Sequence, residues 1–326
     1  MTPVVWLAFL CFIFTMVALD LGVFHRHLKA PTVKDAVVWT LIWVFLSLVF
    51  NGFVYVLYEN NYAWASLAEE HLSGKQAASQ FLLGYVLEKS LSVDNIFVIA
   101  MIFSYFRVPI ELQHRVLFWG ILGAVILRGL MIAVGVTLIN RFDWIVYVFG
   151  ALLLYTAVKM MLLRNETVEP GESALVRLAR RWLPFTDRYH GRHFFVRSDK
   201  YWVATPLFLA LLMVESSDVM FAIDSIPAVF AVTRDPFIVF TSNMFAILGL
   251  RSLYFVLACY MERFRYLKHS LVFVLAYVGI KMIISNHYHV PNGVSMAFIL
   301  GILLLGVLAS IKGASKDPTP LKSPLK

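Results

Sequence analysis

The sequence predicts an all-α protein that lies in a membrane, with about nine transmembrane helices and two inverted three-helix repeats. Of the 326 residues, 60% are hydrophobic and only 15% are charged, whereas soluble domains carry about 25% charged residues. Apolar runs of roughly 20 residues recur from end to end, and each is long enough to cross the hydrocarbon core. These runs lack the alternation of a transmembrane β-barrel.

The apolar runs place the nine spans at about 3–24, 36–58, 77–103, 114–139, 142–163, 201–231, 236–260, 268–286 and 291–311. They divide the chain into two N-terminal helices (1–76), a first three-helix repeat (77–163), a basic cytoplasmic loop (164–200), a second repeat (201–286), a C-terminal helix (287–311) and a disordered cytoplasmic tail (312–326).

Basic residues set the predicted orientation. With the N-terminus outside, the cytoplasmic segments hold twenty of the 28 Lys and Arg residues, and the external segments hold only Lys75, Arg141 and Arg234. Cytoplasmic loops of membrane proteins are enriched in Lys and Arg, so we expect an outside N-terminus and an inside C-terminus. The same clustering accounts for the net charge of +8 without a nucleic-acid partner.

Segment 164–200 is the long connection between predicted spans, and it is both basic and aromatic. Its side chains include Arg188, Arg192, Arg197 and Trp182. Such a segment can set the orientation of the chain, lie on the surface of an anionic leaflet, or dock a membrane-protein partner. The sequence leaves these alternatives open.

An internal repeat relates the two three-span units. Glu88 matches Glu215 at an offset of 127 residues, and Arg128 matches Arg251 after a four-residue shortening. Because each unit has an odd number of predicted spans, the second unit would enter the membrane from the opposite side. Inverted repeats of this kind place a substrate site near the midplane, where the units meet.

The first repeat carries a polar segment from Glu88 to Asn95 inside an apolar run. A charge near the bilayer centre costs at least about 2.5–3 kcal/mol and is usually functional. On a helix Asn95 shares a face with Glu88, whereas Asp94 points elsewhere. Lys89 could offset a carboxylate. The alternative is that the segment serves packing, through a buried ion pair between Glu88 and Arg128.

The second repeat carries three carboxylates in one run, followed by a proline. Glu215 and Asp218 are three residues apart and point roughly the same way on a helix. Pro227 cannot donate to the carbonyl of Ile223, so a broken helix could offer that oxygen as a ligand beside Asp224. The alternative is an ordinary proline kink in which Asp224 caps the second half-helix.

Further polar groups lie in neighbouring spans. Asn243 is a candidate amide ligand, although hydrogen bonding between helices explains it equally well. Arg128 and Arg251 are charge-compensating candidates with Lys89. Each arginine either neutralises a carboxylate permanently or takes the place of a cation when the site is empty.

The predicted ligand set is rich in oxygen, and it comprises Glu88, Asp94, Asn95, Glu215, Asp218, Asp224 and Asn243. Carboxylate, amide and carbonyl oxygens suit Mg²⁺, Ca²⁺ and Mn²⁺. Neither cysteine and no histidine lies among these residues, which argues against zinc and copper(I). We see no nucleophile motif and no phosphate-binding glycine loop, so we expect neither an enzyme nor a tightly bound cofactor.

Several long motifs resemble the TerC family, especially its Alx-like bacterial members. The segments 88–95 and 218–228 resemble the two signature segments of that family, and further matches lie at 193–197 and 241–251. The family is similar to the wider group of LysE-like exporters. The resemblance implies manganese export across the bacterial inner membrane, linked to metal and alkaline-pH homeostasis.

The favoured hypothesis is therefore an exporter of Mn²⁺ that works by alternating access, with protons as the natural coupling ion. An exporter of another small solute, such as an amino acid, is the first alternative. The second is a membrane-embedded factor that helps exported proteins to assemble or to acquire metal, with 164–200 and the tail as its working surface.

Overall fold

The computed structural model describes residues 3–24, 33–60, 72–162, 181–198, 201–258, 267–285, 288 and 290–316. Within these ranges the chain forms ten α-helices: α1 (Pro3–Phe24), α2 (Val33–Glu59), α3 (Gly74–Tyr105), α4 (Ile110–Arg141), α5 (Ile145–Leu162), α6 (Pro206–Phe230), α7 (Pro236–Ile247), α8 (Leu250–Ala258), α9 (Leu267–Ile284) and α10 (Asn292–Lys316). Two short strands, β1 (Phe195–Ser198) and β2 (Tyr201–Ala204), pair antiparallel just before α6.

Helices of membrane-spanning length dominate the described chain. Five of its helices are long and apolar enough to cross a bilayer, namely α2, α4, α5, α6 and residues Asn292–Ser310 of α10. The pair α7 and α8 is bent by 43° and counts as a sixth span if the two are taken together. The apolar stretches Val5–Leu19 and His269–Ile284 are shorter. The predicted helical membrane architecture is therefore observed, whereas the nine-span count and the inverted repeat stay predictions.

The structure corrects two predicted boundaries. The sixth span does not begin at 201, because Tyr201–Ala204 is a strand and α6 begins at Pro206. Proline suits the first turn of a helix, where its missing N–H costs nothing. The predicted disordered tail also cannot begin at 312, because α10 continues to Lys316. The rest of the tail, from 317, and residues 163–180 of the basic loop lie outside the described residues.

The helix break that we predicted at Pro227 lies elsewhere. The helix α6 is continuous through Pro227 and ends at Phe230, so the proline lies within the last turn and leaves no second half-helix for Asp224 to cap. The break falls instead between α7 and α8, where Gly249 has a φ of 77°. A Cβ at Gly249 would lie 2.7 Å from the Trp43 ring of α2, so this turn requires glycine.

The core consists of two apolar clusters, and α3 and α6 pass from one to the other. Leu87 of α3 and Ala222 of α6 belong to the first cluster. Ile96 of α3 and Val214 of α6 belong to the second. The two helices therefore run in opposite directions, and their polar segments lie where the clusters meet.

The described part of the basic loop packs on the membrane domain. We call residues 181–198 and 201–204 the basic module. The Tyr189 hydroxyl donates to the Phe106 carbonyl at 2.7 Å, and burial raises the pKa of Tyr189 to about 12. The Arg115 guanidinium lies 5.1 Å from the centre of the Phe194 ring. These contacts fix the module to the connection between α3 and α4.

Candidate cation site

Arg128 of α4 is the centre of a buried polar network that joins three other helices. Its Nη1 contacts Oε1 of Glu88 on α3 in a close ion pair. Its Nε and Nη2 donate to the two oxygens of Asp218 on α6, at 3.1 and 2.8 Å. A guanidinium matches a carboxylate in this two-bond geometry. One arginine therefore binds a carboxylate from each predicted repeat.

Two amides complete the network. Asn243 of α7 accepts from Arg128 Nη1 at 3.1 Å and donates to Glu88 Oε2 at 3.2 Å. Asn95 of α3, with its amide turned to satisfy both of its polar atoms, accepts from Arg128 Nη2 at 3.3 Å and donates to the Leu91 carbonyl at 3.2 Å. Asn243 thus bridges Arg128 and Glu88, and Asn95 contacts Arg128, so the structure brings together four of the seven predicted ligands.

The network is nearly free of solvent contact. Glu88 and Asn243 are 0% exposed, Arg128 is 1% exposed, and the Asp218 side chain is 14% exposed. Removing one partner from a buried ion pair costs about 3–5 kcal/mol, because the other charge is left uncompensated. A permanent pair and an exchangeable pair both fit these contacts, so the alternatives from the sequence stay open at this point.

A small cavity adjoins Asp218. Its volume is about 30 Å³, and its lining includes Asn95, Gly120, Ser217, Asp218 and Leu250. A cavity of about 10–15 Å³ or more holds one water molecule. The cavity is thus large enough for one water molecule or one small ion, and apart from Asn95, Ser217 and Asp218 its lining residues are apolar.

Glu215 lies one turn before Asp218 and packs on Gly123 of α4. A Cβ at Gly123 would overlap the Glu215 carboxylate, so the glycine makes room for this acid. Oxygen Oε2 of Glu215 is buried and has no hydrogen-bond partner within the part of the chain that the structure describes. A buried acceptor in that condition is costly, and it is available to a ligand or a proton.

Asp224 belongs to a different part of the molecule. Its Oδ1 accepts a hydrogen bond from Thr156 of α5 at 2.8 Å, and Lys159 of α5 is near enough to interact with it electrostatically. Six residues along a helix separate it from Asp218, which is roughly 9 Å of rise. The structure therefore separates Asp224 from the Arg128 network.

The two remaining candidates, Asp94 and Arg251, are neighbours in sequence of residues that belong to the network or line the cavity. Asp94 is half-buried on α3, next to Asn95, and it does not line the cavity. Arg251 is 1% exposed at the start of α8, and its neighbour Leu250 lines the cavity. Within the described residues, no group of three or more His, Cys, Asp or Glu side chains is arranged to hold a metal ion.

Lys89 binds two backbone carbonyls, a role that the sequence did not indicate. Its ammonium donates to the carbonyls of Ala246 and Leu248, at 3.1 and 3.2 Å. These carbonyls belong to the C-terminal end of α7, where the helix dipole is negative. Lys89 therefore holds the broken helix that carries Asn243, whereas we had expected it to offset a carboxylate.

Sequence reasoning also missed Gly123 and Thr156. Both lie inside apolar spans, where glycine and threonine are common as packing residues. Their partners, Glu215 and Asp224, come from α6, so only the packing of α4 and α5 on that helix reveals their roles.

The fold and the site define a class: a polytopic α-helical membrane protein with ionisable groups buried between its spans. The chain belongs to the TerC family of integral membrane proteins, since the model of that family matches residues 73–317. It is an integral multi-pass membrane protein.

Curated relatives cover nearly the whole chain. An "Uncharacterized membrane protein STKORF319" of Myxococcus xanthus is 49% identical over 98% of this chain and 95% of its own. The "Putative membrane-bound redox modulator Alx" of Escherichia coli K12 is 49% identical over 93% of both chains. An "Uncharacterized membrane protein" of Rickettsia bellii is 39% identical over 94% of this chain and 96% of its own. No solved structure matches the chain.

Proposed function

We propose that this protein is a membrane transporter that exports a hard divalent cation, with Mn²⁺ as the favoured substrate, by alternating access. One observation carries the proposal: a carboxylate from α3 and a carboxylate from α6 converge on one guanidinium beside a small cavity. Ionisable groups buried between membrane helices mark ion pathways. Carboxylate and amide oxygens are the donors that Mn²⁺ and Mg²⁺ prefer.

In this proposal Arg128 and the cation compete for the same two carboxylates. Arg128 compensates Glu88 and Asp218 while the site is empty. A divalent cation that enters beside Asp218 supplies the charge that these carboxylates need, so the guanidinium can turn away. Asn95 and Asn243 already contact the network, and their oxygens become available to the cation when Arg128 leaves.

Glu215 is the candidate for proton coupling. Its Oε2 is buried without a hydrogen-bond partner, one helical turn from Asp218. In this proposal the Glu215 carboxylate takes up a proton when the cation leaves the site, and it releases that proton when a cation enters.

The same geometry disfavours a carboxylate-bearing solute as substrate. All the Arg128 nitrogens already donate to protein oxygens, so the guanidinium is not free to bind the carboxylate of an amino acid. Such a substrate would have to displace Asp218 and leave a buried carboxylate without its partner, at a cost of several kcal/mol.

The proposed orientation has the N-terminus outside and the C-terminus inside the bacterial inner membrane. This placement rests on the distribution of Lys and Arg. Export then carries the cation from the side of the basic module to the side where α4 meets α5.

Flux measurements in reconstituted vesicles test the proposal. We expect Mn²⁺ efflux from the wild-type protein and at least about a tenfold loss for Asp218→Asn and Glu88→Gln, each measured on protein shown to be folded. Asp143→Asn is the matched control, because Asp143 is exposed in the α4–α5 connection. Retained efflux in both site variants would discard the ligand assignment, and no wild-type flux of any divalent cation would discard the function.

A further inference from the structure

The basic module exposes three large aromatic side chains. Trp182 is 78% exposed, Tyr201 is 70% exposed and Trp202 is 65% exposed. Each such side chain offers on the order of 150–250 Å² for burial. Three of them on 22 described residues leave a large aromatic area of the module open to its surroundings.

The basic module also carries a strong positive charge. Its four arginines are exposed, and they are Arg181, Arg188, Arg192 and Arg197. Asp187 is the one acidic residue in the described module, so the formal charge is +3 (four arginines and one aspartate) with neutral histidines. The strand register places Arg197 directly opposite Trp202, on the same face of the hairpin. One arginine and one exposed tryptophan are thus neighbours on this face.

The module lies at the level of the bilayer surface. Strand β2 leads through Thr205 directly into α6, whose 25 residues rise roughly 37 Å. The hydrocarbon core is about 30 Å thick, so the start of α6 reaches the headgroup layer. A four-residue strand extends about 13 Å, which keeps the tip of the hairpin within reach of lipid headgroups.

The module is held rigidly in that place. The Thr186 N–H donates to the Ala204 carbonyl at 3.0 Å, and the Ala204 N–H donates to the Pro184 carbonyl at 2.9 Å. The Thr205 hydroxyl donates toward the His193 carbonyl at 2.9 Å. The exposed rings are therefore presented by an ordered surface.

We propose that the basic module binds anionic phospholipid headgroups of the cytoplasmic leaflet, with its arginines on the phosphates and Trp182 and Trp202 in the interface. Tryptophan and tyrosine concentrate at this level of a membrane, and the cytoplasmic leaflet is the anionic one. The choice of leaflet rests on the proposed orientation. The lipid contact itself does not depend on which ion, if any, the protein transports.

Tryptophan quenching in lipid nanodiscs tests this inference on the full-length protein. Nanodiscs contain either phosphatidylglycerol or phosphatidylcholine brominated near the top of the acyl chains, at the same mole fraction in an unlabelled phosphatidylcholine background. The signal of Trp182 and Trp202 is the difference between wild type and the double variant Trp182→Phe/Trp202→Phe. Trp119→Phe gives the matched control signal, because Trp119 is 43% exposed on α4, within a span.

We expect brominated phosphatidylglycerol to quench the Trp182 and Trp202 signal at least about twice as strongly as brominated phosphatidylcholine. The Trp119 signal should show no such preference. Arg192→Gln and Arg197→Gln should each move the ratio of the two quenching signals toward one, since a basic residue near the surface attracts anionic lipid. Arg141→Gln, an exposed arginine at the end of α4, should leave it unchanged.

Two results would overturn the inference. Equal quenching by the two lipids would show that the module has no preference for anionic headgroups. Quenching by aqueous iodide, with none by either lipid, would show that the rings face water or a protein partner. Because the readout is fluorescence, it stands apart from the outcome of the flux experiment.

Discussion

Arg128 is the residue on which the charge balance of the site depends. It lies between carboxylates of α3 and α6 and forms an ion pair with each of them. A shared counter-charge is exchangeable in principle, because a divalent cation can replace it while both carboxylates stay ionised. A counter-charge of this kind also makes the empty site stable.

The first prediction concerns stability. Arg128→Gln leaves two buried carboxylates without a cation, so we expect unfolding to become easier by about 3–5 kcal/mol. Thermal unfolding in detergent, followed by circular dichroism, measures the change. Arg141→Gln is the control, since Arg141 is exposed. A variant at position 128 as stable as this control would show that the ion pairs contribute little.

The second prediction concerns Gly123. Gly123→Ala places a methyl group where the Glu215 carboxylate lies, so the carboxylate has to move, although the fold should keep its stability within about 1 kcal/mol. We expect Mn²⁺ flux to fall by about tenfold or more, since a shift of about 1 Å in an active group can cost 10²-fold in rate. Gly52→Ala should have no effect, because a Cβ there meets nothing within 4 Å. Equal flux in both variants would remove Glu215 from the mechanism.

The sequence was sufficient to find the polar residues of the site but not to group them. Glu88, Arg128 and Asp218 stand out because a charge inside an apolar run is rare. Which carboxylates Arg128 contacts depends on how α4 is rotated against α3 and α6, and the sequence of one helix does not specify that rotation. For the same reason the predicted ligand set contains both Asp218 and Asp224, although Asp224 contacts Thr156 on α5.

At the scale of elements, α7 is the unusual helix. It has twelve residues, and Asp235 caps its N-terminus by accepting from the N–H groups of Phe237 and Ile238 at 2.9 and 3.1 Å. Tyr58 of α2 donates to the second oxygen of that cap at 2.9 Å. Lys89 binds the other end. A short buried helix that is fixed at both ends holds Asn243 in position against Glu88.

The third prediction tests the C-terminal end of α7. Lys89→Met removes a charged donor from two buried carbonyls, so we expect a loss of about 1.5–3 kcal/mol in the free energy of unfolding. Thermal unfolding again provides the measurement. The neighbouring Ser90→Ala should be nearly neutral, since the Ser90 hydroxyl only donates to the Val86 carbonyl of its own helix. Unfolding of Lys89→Met at the wild-type temperature would contradict this role.

The position of the helix break shows the limit of local sequence signals. Pro227 is the stronger breaker by propensity, yet it lies where α6 already ends. Gly249 lies inside the apolar run 236–260, which the sequence shows as one span. The backbone turns there against Trp43, roughly 200 residues away along the chain. A long-range contact of this kind leaves no local pattern to read.

At the scale of the whole molecule, the site lies where two apolar clusters meet, between antiparallel helices. The polar network therefore has apolar packing on both of its sides. The composition was enough to predict the helical membrane class, since apolar runs of span length are explicit in the sequence. The strand pair before α6 was not predicted, because four-residue strands carry too little pattern.

The fourth prediction tests the orientation. In the proposed orientation, a green fluorescent protein joined at Lys326 should fluoresce on the inside, and alkaline phosphatase inserted within 61–71 should be active on the outside. Exchanging the two reporters provides the control, and both signals should then disappear. The reverse pattern would invert the proposed direction of transport and the leaflet assigned to the basic module.

Binding of Mn²⁺ to purified protein, followed by the electron paramagnetic resonance of the free ion, tests most directly whether Arg128 and a cation share one site. If they compete, folded Arg128→Gln should bind Mn²⁺ at least about tenfold more tightly than wild type, a gain of about 1.4 kcal/mol, and Asp218→Asn should bind it more weakly. Arg128→Lys, which keeps the charge but loses the two-bond geometry, should fall between Arg128→Gln and wild type. Unchanged or weaker binding by both folded Arg128 variants would contradict the account, because the arginine would then be a permanent partner of its carboxylates.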